Sequence, residues 1–116
     1  IQANLIFACI FLNFFYPYLY LRYIMNLKQL TLKSIHYRKT ILEIIYNGGA
    51  GHTAGSLSCV DILNVLYNNI LDITPNNFQS IKRNRYIQSK GHSVEALYTV
   101  LCDKQFFSLN DLKTLN

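Results

Sequence analysis

Apolar residues recur at helical spacing in three stretches of the chain, and polar or glycine-rich segments separate these stretches. The first predicts a helix from Thr31 to Tyr46, because its apolar residues follow one another at short helical intervals on one broad face. The members of that face are Leu32, Ile35, Ile41, Leu42, Ile44 and Ile45. Asn47, Gly48 and Gly49 follow, and residues that accept a left-handed backbone commonly end helices. We therefore expect the helix to end there.

The second stretch, Cys59–Leu71, has the clearest helical pattern in the sequence. Its apolar stripe consists of Cys59, Ile62, Leu63, Leu66, Tyr67 and Ile70. Ser58 precedes the stretch and Asp61 lies three positions later, which predicts a capping box at the start of this helix. Pro75 disfavours helix at the residue before it, so residues 72–77 are expected to form a loop.

Before the third stretch lies Arg85–Gln88, which is interpreted as a short strand bounded by polar residues. A turn at Ser89–Gly91 leads into a predicted helix over Val94–Cys102. Its expected buried stripe is Val94, Leu97, Tyr98 and Leu101. Ser108 then begins another capped helix. A strand, a glycine-containing turn and a helix in this order are typical of open α/β sheets, so the fold class is expected to be α/β with helices dominating.

Residues 1–24 differ from the rest of the chain, because Leu5–Leu21 is nearly continuous apolar sequence rich in Phe and Tyr. The run is short for a membrane-spanning helix and contains Pro17, and a signal peptide would begin with basic residues. Three interpretations compete: a membrane anchor, the tail of a longer chain, or translated sequence upstream of a start at Met25. We favour the third. The expected domains are thus a hydrophobic leader at 1–24 and a partial domain at 25–116.

Composition limits the remaining possibilities. A chain of 116 residues holds one domain at most, and with 51% hydrophobic residues intrinsic disorder is not expected. The net charge of +5 is interpreted as a solvated surface rather than attraction to phosphorylated ligands. The basic residues cluster only at Lys82–Arg85 and no nucleic-acid-binding signature accompanies them, so no nucleic-acid partner is expected.

The three cysteines show no metal-binding or redox spacing. Cys59 and Cys102 lie on apolar faces of predicted helices, whereas Cys9 lies in the leader. We interpret the first two as reduced core residues, which favours a reducing, cytoplasmic location.

Two glycine–histidine pairs carry the candidate chemistry. Gly51–Ser58 (GHTAGSLS) and Ser89–Ser93 (SKGHS) each lead into a helical pattern. Glycine lets a ligand approach the main chain, a helix start offers N–H groups to a phosphate, and a histidine adds a donor or proton carrier. The two segments are therefore expected to line one cleft for a phosphorylated ligand. A third histidine, His36, has no such surroundings and is expected on the surface or in packing.

Two parts of the sequence resemble the start of a transketolase. From Arg38 to Tyr67 the shared pattern is R-x2-I-L … G-H-x2-G-S-L-S-x2-D-I-L-x2-L-Y, and from Pro75 to Leu101 it is P … R-x-R-x-I-x-S-K-G-H … A-L-Y-x2-L. The Ser-Lys-Gly-His form at 89–92 resembles the N-terminal subunit of the split, two-chain enzymes. The resemblance covers about Leu30–Leu115, most of the chain.

The resemblance implies an enzyme that uses thiamine diphosphate and Mg²⁺ to move a two-carbon ketol unit from a ketose phosphate to an aldose phosphate. The resemblance implies that His52 and His92 are catalytic and bind the cofactor. It also implies that Gly51 and Gly91 bind the cofactor. It implies the N-terminal fragment of a doubly wound parallel-sheet domain. It also implies sugar phosphates as substrates, a C-terminal pyrimidine-domain partner, and a dimer or heterotetramer.

The sequence also departs from the family pattern. The family usually has a glycine two residues after the first histidine, whereas this chain has Thr53 and then Ala54. Asn84 replaces the family's aspartate between Arg83 and Arg85. No glycine in the chain is followed by Asp, so the family's Gly-Asp-Gly metal loop is missing and no metal ligand is assigned. We expect the chain to be inactive alone.

Two alternatives stay open at this point. One is another thiamine-dependent enzyme, such as a deoxyxylulose-phosphate synthase or a ketoacid dehydrogenase component. The other is a pseudogene product or a small membrane-attached interaction protein, in which residues 1–24 are a genuine anchor.

Overall fold

A computed structural model describes residues 17–115 of the chain, and the side chains of residues 27–115. Its regular elements are helical: α1 (Pro17–Gly48), α2 (Thr53–Val65) continued by a π-helical turn (Leu66–Ile70), a 3₁₀ turn (Gly91–Ser93), α3 (Val94–Asp103) and α4 (Leu109–Leu112). Helices α1, α2 and α3 pack against one another. Their shared core consists of Tyr37, Ile41, Val60, Leu63, Tyr67, Ile73, Ala96 and Val100.

Helix α1 ends where the sequence predicts, but it buries a different face. Gly49 has a φ of +66°, the left-handed conformation that closes a helix, so the predicted end is confirmed. The predicted face is wrong in part: Ile41 and Ile44 are buried, whereas the exposed members are Leu32, Ile35 and Leu42. Tyr37, which the pattern did not single out, is fully buried. Apolar residues lie on more than one side of this helix, so their spacing alone did not determine which face is buried.

Tyr37 lies at the joint between α1 and α3. Its hydroxyl donates to Asp103 Oδ2 over 2.6 Å and accepts from Asn68 Nδ2 over 3.1 Å. Lys33 completes this group with an ion pair to Asp103 over 2.5 Å. Burial, and then the bond to Asp103, raise the pKa of Tyr37 above its usual range, so its hydroxyl remains a donor.

The capping box expected at Ser58 and Asp61 is wrong, because α2 begins earlier, at Thr53. Ser58 therefore lies inside the helix, and its hydroxyl donates to Gly55 O over 2.8 Å. The carboxylate of Asp61 instead accepts one hydrogen bond from each terminal guanidinium nitrogen of Arg38, over 2.8 and 2.5 Å. This fork joins α1 to α2.

The predicted stripe of α2 is also rotated relative to the face that packs. Leu63 and Tyr67 are buried as expected, but Ile62 is 62% exposed and Ile70 is 46% exposed. A polar residue, Asn64, takes a buried position in the stripe. Its amide donates to Leu30 O over 2.7 Å and to Ser34 Oγ over 2.8 Å, so hydrogen bonds to α1 decide which face turns inward.

Helix α3 has nearly the predicted bounds but another buried face. Its buried residues are Glu95, Ala96, Thr99 and Val100. Tyr98, expected inside, is 37% exposed. The inward position of Glu95 follows from polar partners on α2, which a hydrophobic pattern does not register.

The strand expected at Arg85–Gln88 does not form: in the part of the chain that the structure describes there is no strand at all. A strand needs a hydrogen-bonding neighbour, and none is present among these residues. The loop at 72–77 and the capped helix at Ser108 are both confirmed, the latter with a complete capping box to Asp111.

The predicted leader at 1–24 falls largely outside the described residues, as does Cys9. Cys59 and Cys102 are free thiols and partly buried. Among the described residues, no helix is both long enough and apolar enough to span a bilayer.

Candidate functional site

The structure brings the two glycine–histidine segments together. The imidazole rings of His52 and His92 face each other with centroids 4.3 Å apart and planes tilted by 36°. Both residues are exposed to solvent, so neither imidazole is packed in the core. The expectation that both segments line one site agrees with this arrangement.

Glycine at position 55 permits this contact. A Cβ built on Gly55 would lie 2.2 Å from His92 O, far inside any van der Waals contact. The first turn of α2 therefore rests directly on the main chain of the second segment. No side chain other than hydrogen fits at this crossing.

Lys90 adds a second link between the segments. Its ammonium donates to Ser58 Oγ over 2.8 Å and to Gly55 O over 3.2 Å, both on α2. The lysine thus crosses from the second segment to the first turns of the helix that follows His52. It also places a positive charge against the first turns of α2.

Glu95 lies beneath the first segment and is 1% exposed. Its Oε1 accepts from the main-chain N–H of His52 over 3.0 Å, and its Oε2 accepts from Ser56 Oγ over 2.7 Å. Burial raises the pKa of this carboxyl, but the hydrogen bonds from Ser56 and the main chain outweigh burial and leave the pKa below its ordinary value. Glu95 is therefore a carboxylate at neutral pH.

The start of α2 is suited to an anion. His52 occupies the N-cap position in a non-helical conformation, and no side chain caps the first turn. Main-chain N–H groups at such a turn carry the positive end of the helix dipole. Together with two exposed imidazoles and the ammonium of Lys90, this donor set is the kind that binds phosphate.

The four predicted site residues occupy different parts of this arrangement. His52 and His92 form the ring pair. Gly51 precedes the first ring with a φ of +145°. Gly91 precedes the second, and a Cβ there would have open space around it. His36 is exposed on α1, as expected.

Sequence reasoning did not assign Glu95 or Ser56. Glu95 lies outside the apolar stripe predicted for its helix, so no pattern in the sequence singled it out. The basic cluster at Lys82–Arg85 is engaged within its own loop: Arg83 Nε donates to Phe78 O over 2.6 Å. In the region with described side chains, no three His, Cys, Asp or Glu groups converge as metal ligands would.

Two imidazoles, a lysine and an uncapped helix start lie close together in the structure. Comparison with known proteins identifies the family of the chain. Residues 31–116 match the family model described as transketolase, thiamine diphosphate binding domain. The chain belongs to this family, which confirms the resemblance found in the sequence.

The chain is also similar to curated transketolase subunits. It is 43% identical over 91 residues to an apulose-4-phosphate transketolase subunit of Phocaeicola vulgatus, covering 78% of this chain and 32% of that protein. It is 43% identical over 79 residues to a 6-deoxy-6-sulfo-D-fructose transketolase subunit of a Clostridium species, covering 68% of this chain and 29% of that protein. The corresponding apulose-4-phosphate transketolase subunit of Actinobacillus succinogenes is 33% identical over 93 residues, 79% of this chain and 34% of that protein.

The chain thus spans about a third of the length of these curated relatives. No solved structure matches it.

Proposed function

We propose that this chain provides the first part of the diphosphate-binding half of a transketolase, in which His52 and His92 contact the cofactor and act in ketol transfer. The observation that carries the proposal is the 4.3 Å ring pair, built from the two motifs that the family resemblance assigns to one site. The names of the relatives favour a transketolase over the other thiamine-dependent enzymes considered.

The residues present fit a diphosphate. The uncapped first turn of α2 and the exposed imidazoles offer donors, and the open space at Gly91 leaves room for close approach to the main chain. We place His52, His92, Gly51 and Gly91 in contact with thiamine diphosphate on these grounds. Magnesium, which the paired phosphates require, would take its ligands from elsewhere in the enzyme.

Thiamine diphosphate, when bound, supplies the electron-sink chemistry of carbon–carbon bond transfer. The contribution of this chain is to bind, to orient and to move protons. An imidazole donates to a phosphate or substrate oxygen when protonated and accepts a hydroxyl proton when neutral. Two such rings in contact can hold and pass a proton at a substrate hydroxyl.

Substrate and assembly follow from the same proposal. The relatives are named as single subunits, and by their names they act on apulose 4-phosphate or a sulfonated fructose. We infer a ketose phosphate donor, an aldose phosphate acceptor and a separate C-terminal partner subunit. The complete domain would be a doubly wound parallel sheet, of which this chain contributes mainly helices.

The test is substitution of each histidine in the complete enzyme, assembled with its partner subunit. His52→Ala and His92→Ala are each expected to lower ketol transfer about 10²–10⁴-fold, because a positioned proton-transfer group contributes that much. Turnover would be measured from a ketose phosphate to an aldose phosphate with thiamine diphosphate and Mg²⁺ present.

His36→Ala is the matched control, since it removes the same side chain from an exposed position on α1. It is expected to retain normal turnover. Near-normal turnover in both site variants would refute the assignment.

A further inference from the structure

The buried carboxylate of Glu95 forms no ion pair within 4 Å among the described side chains. Each ion pair found among the described side chains joins other residues, and the partners of Glu95 are a main-chain N–H and a hydroxyl. Glutamate is almost never fully buried without a charged partner, because removing the carboxylate from water is costly. The contacts of Glu95 therefore indicate why a carboxylate is buried at this position.

What it contacts is the start of the first segment. Oε1 accepts from His52 N, the main-chain group of the N-cap residue itself, over 3.0 Å. A Cβ on Gly51 would lie 2.9 Å from the same oxygen, so the carboxylate lies directly against the main chain that leads into His52. Ser56 Oγ donates to the other oxygen over 2.7 Å and fixes the rotation of the carboxylate.

Glu95 lies just after the second segment in the sequence. It lies three residues after His92, in the first turn of α3, whereas both its partners lie in or next to α2. One side chain thus connects the helix that directly follows the His92 turn to the main chain of His52. The approach of the two rings to 4.3 Å depends on the relative placement of these two helix starts.

We propose that Glu95 is a positioning residue: its carboxylate fixes the main chain at His52 and thereby sets the His52–His92 ring pair in the geometry that receives the cofactor diphosphate. The cofactor part of this inference rests on the proposed function. The part about the ring pair rests on the contacts of Glu95 alone.

Two conservative substitutions separate the effect of side-chain length from the effect of charge at position 95. Glu95→Gln keeps the length of the side chain: its amide oxygen can accept from His52 N, and its NH₂ can donate to Ser56 Oγ. Glu95→Asp keeps the charge but is one methylene shorter, so its carboxylate reaches back too little to contact both groups. A positioning role predicts that Asp is the more damaging change, whereas a role through charge predicts that Gln is.

The first measurement is binding of thiamine diphosphate in the presence of Mg²⁺, by calorimetry, on the complete protein assembled with its partner subunit. We expect the dissociation constant to rise about tenfold in Glu95→Asp and by no more than about threefold in Glu95→Gln, the loss expected from one misplaced charge-assisted hydrogen bond. Glu43→Asp and Glu43→Gln are the matched controls, since Glu43 is an exposed glutamate on α1. Both should bind normally.

The second measurement does not depend on the cofactor. The His52 amide resonance and the proton contacts between the two rings are recorded by NMR in each variant. Glu95→Asp should shift the amide resonance upfield and weaken the ring-to-ring contacts, and Glu95→Gln should largely preserve both. Ser56→Ala removes one donor without altering Glu95, so it should give an intermediate change and provides a test should either Glu95 variant fail to fold.

The outcomes are distinct. If the unaltered protein does not bind thiamine diphosphate, the proposed function fails, and the resonances still decide whether Glu95 places His52. If it binds and Glu95→Asp matches it in affinity and ring contacts, the positioning role is overturned. A larger loss in Glu95→Gln than in Glu95→Asp would also overturn it, in favour of charge.

Discussion

At the scale of single residues, the candidate site depends on places where a side chain is missing. Gly55 lies in the helical first turn of α2, where alanine is ordinarily preferred to glycine by about 0.5–1 kcal/mol. The second segment crosses at this point, so the Cβ of an alanine would meet a main-chain oxygen rather than a flexible side chain. Close packing at one atom therefore outweighs helix propensity.

Gly55→Ala is accordingly expected to destabilise the protein, although it adds a helix-favouring residue. Overpacking against fixed atoms costs about 1–3 kcal/mol, which exceeds the gain in propensity. The free energy of unfolding would be measured by chemical denaturation. Gly91→Ala is the matched control, since its Cβ would have nothing within 4 Å, and it should leave stability unchanged or slightly raised. A stabilising Gly55→Ala would show that the two segments do not cross as described.

At the scale of elements, the packing of α1 on α2 includes a specific polar joint. Arg38 and Asp61 form a two-bond fork, and their side chains are only 27% and 25% exposed. The hydrogen bonds from Arg38 lower the pKa of Asp61, and those to Asp61 raise the pKa of Arg38. Such a pair is stronger than an exposed one because water screens it less.

Replacing Arg38 by methionine tests this joint. The aliphatic stem would still cover the helix, but the Asp61 carboxylate would lose its partner in a half-buried place, and stability should fall by about 1.5–3 kcal/mol. Thermal and urea denaturation would report the change. Lys39→Met is the control, because Lys39 and Glu43 are 3.9 Å apart and largely exposed, and it should have no measurable effect. Equal effects of the two substitutions would contradict a specific α1–α2 joint.

At the scale of the whole molecule, acidic groups with lowered pKa values make stability depend on pH in one direction, and three of them lie on α2 and α3. The pKa values of Asp61, Asp103 and Glu95 are all lowered in the folded protein. For Asp61 the cause is the bond from Arg38. For Asp103 and Glu95, burial acts in the opposite direction, and hydrogen bonds outweigh it.

A lowered pKa means that the unfolded chain binds protons more readily than the folded one at acid pH. The stabilisation from these groups is fully present well above their ordinary values, 3.8 for aspartate and 4.5 for glutamate, and is lost as the pH falls through the lower folded values. We therefore expect the free energy of unfolding to decrease steadily on acidification below about pH 5. Denaturation across a pH series would measure the slope. Asp61→Asn should flatten it, and an unchanged slope would exclude Asp61 as a contributor.

Local patterns in the sequence were enough to predict where the main helices lie, though not where α1 and α2 begin, and where α1 ends. They also supplied the two motifs proposed for the site. These features act within one turn of backbone: a left-handed glycine, a serine three residues before an aspartate, and the order of two glycine–histidine motifs. The family resemblance was readable for the same reason, because it depends on the identity and spacing of residues such as His52 and His92.

Which faces turn inward, and how the two motifs meet, became clear only from the packed helices. Helices with apolar residues on several sides can pack in more than one rotation, and the choice here depends on long-range polar contacts: Asn64 with α1, Arg38 with Asp61, and Glu95 with His52. The strand expected at Arg85–Gln88 does not form for a related reason, because a strand needs a neighbouring strand to accept and donate its main-chain hydrogen bonds. A carboxylate buried beneath one histidine and borne by the helix that follows the other is a property of tertiary packing, which no local pattern along the chain specifies.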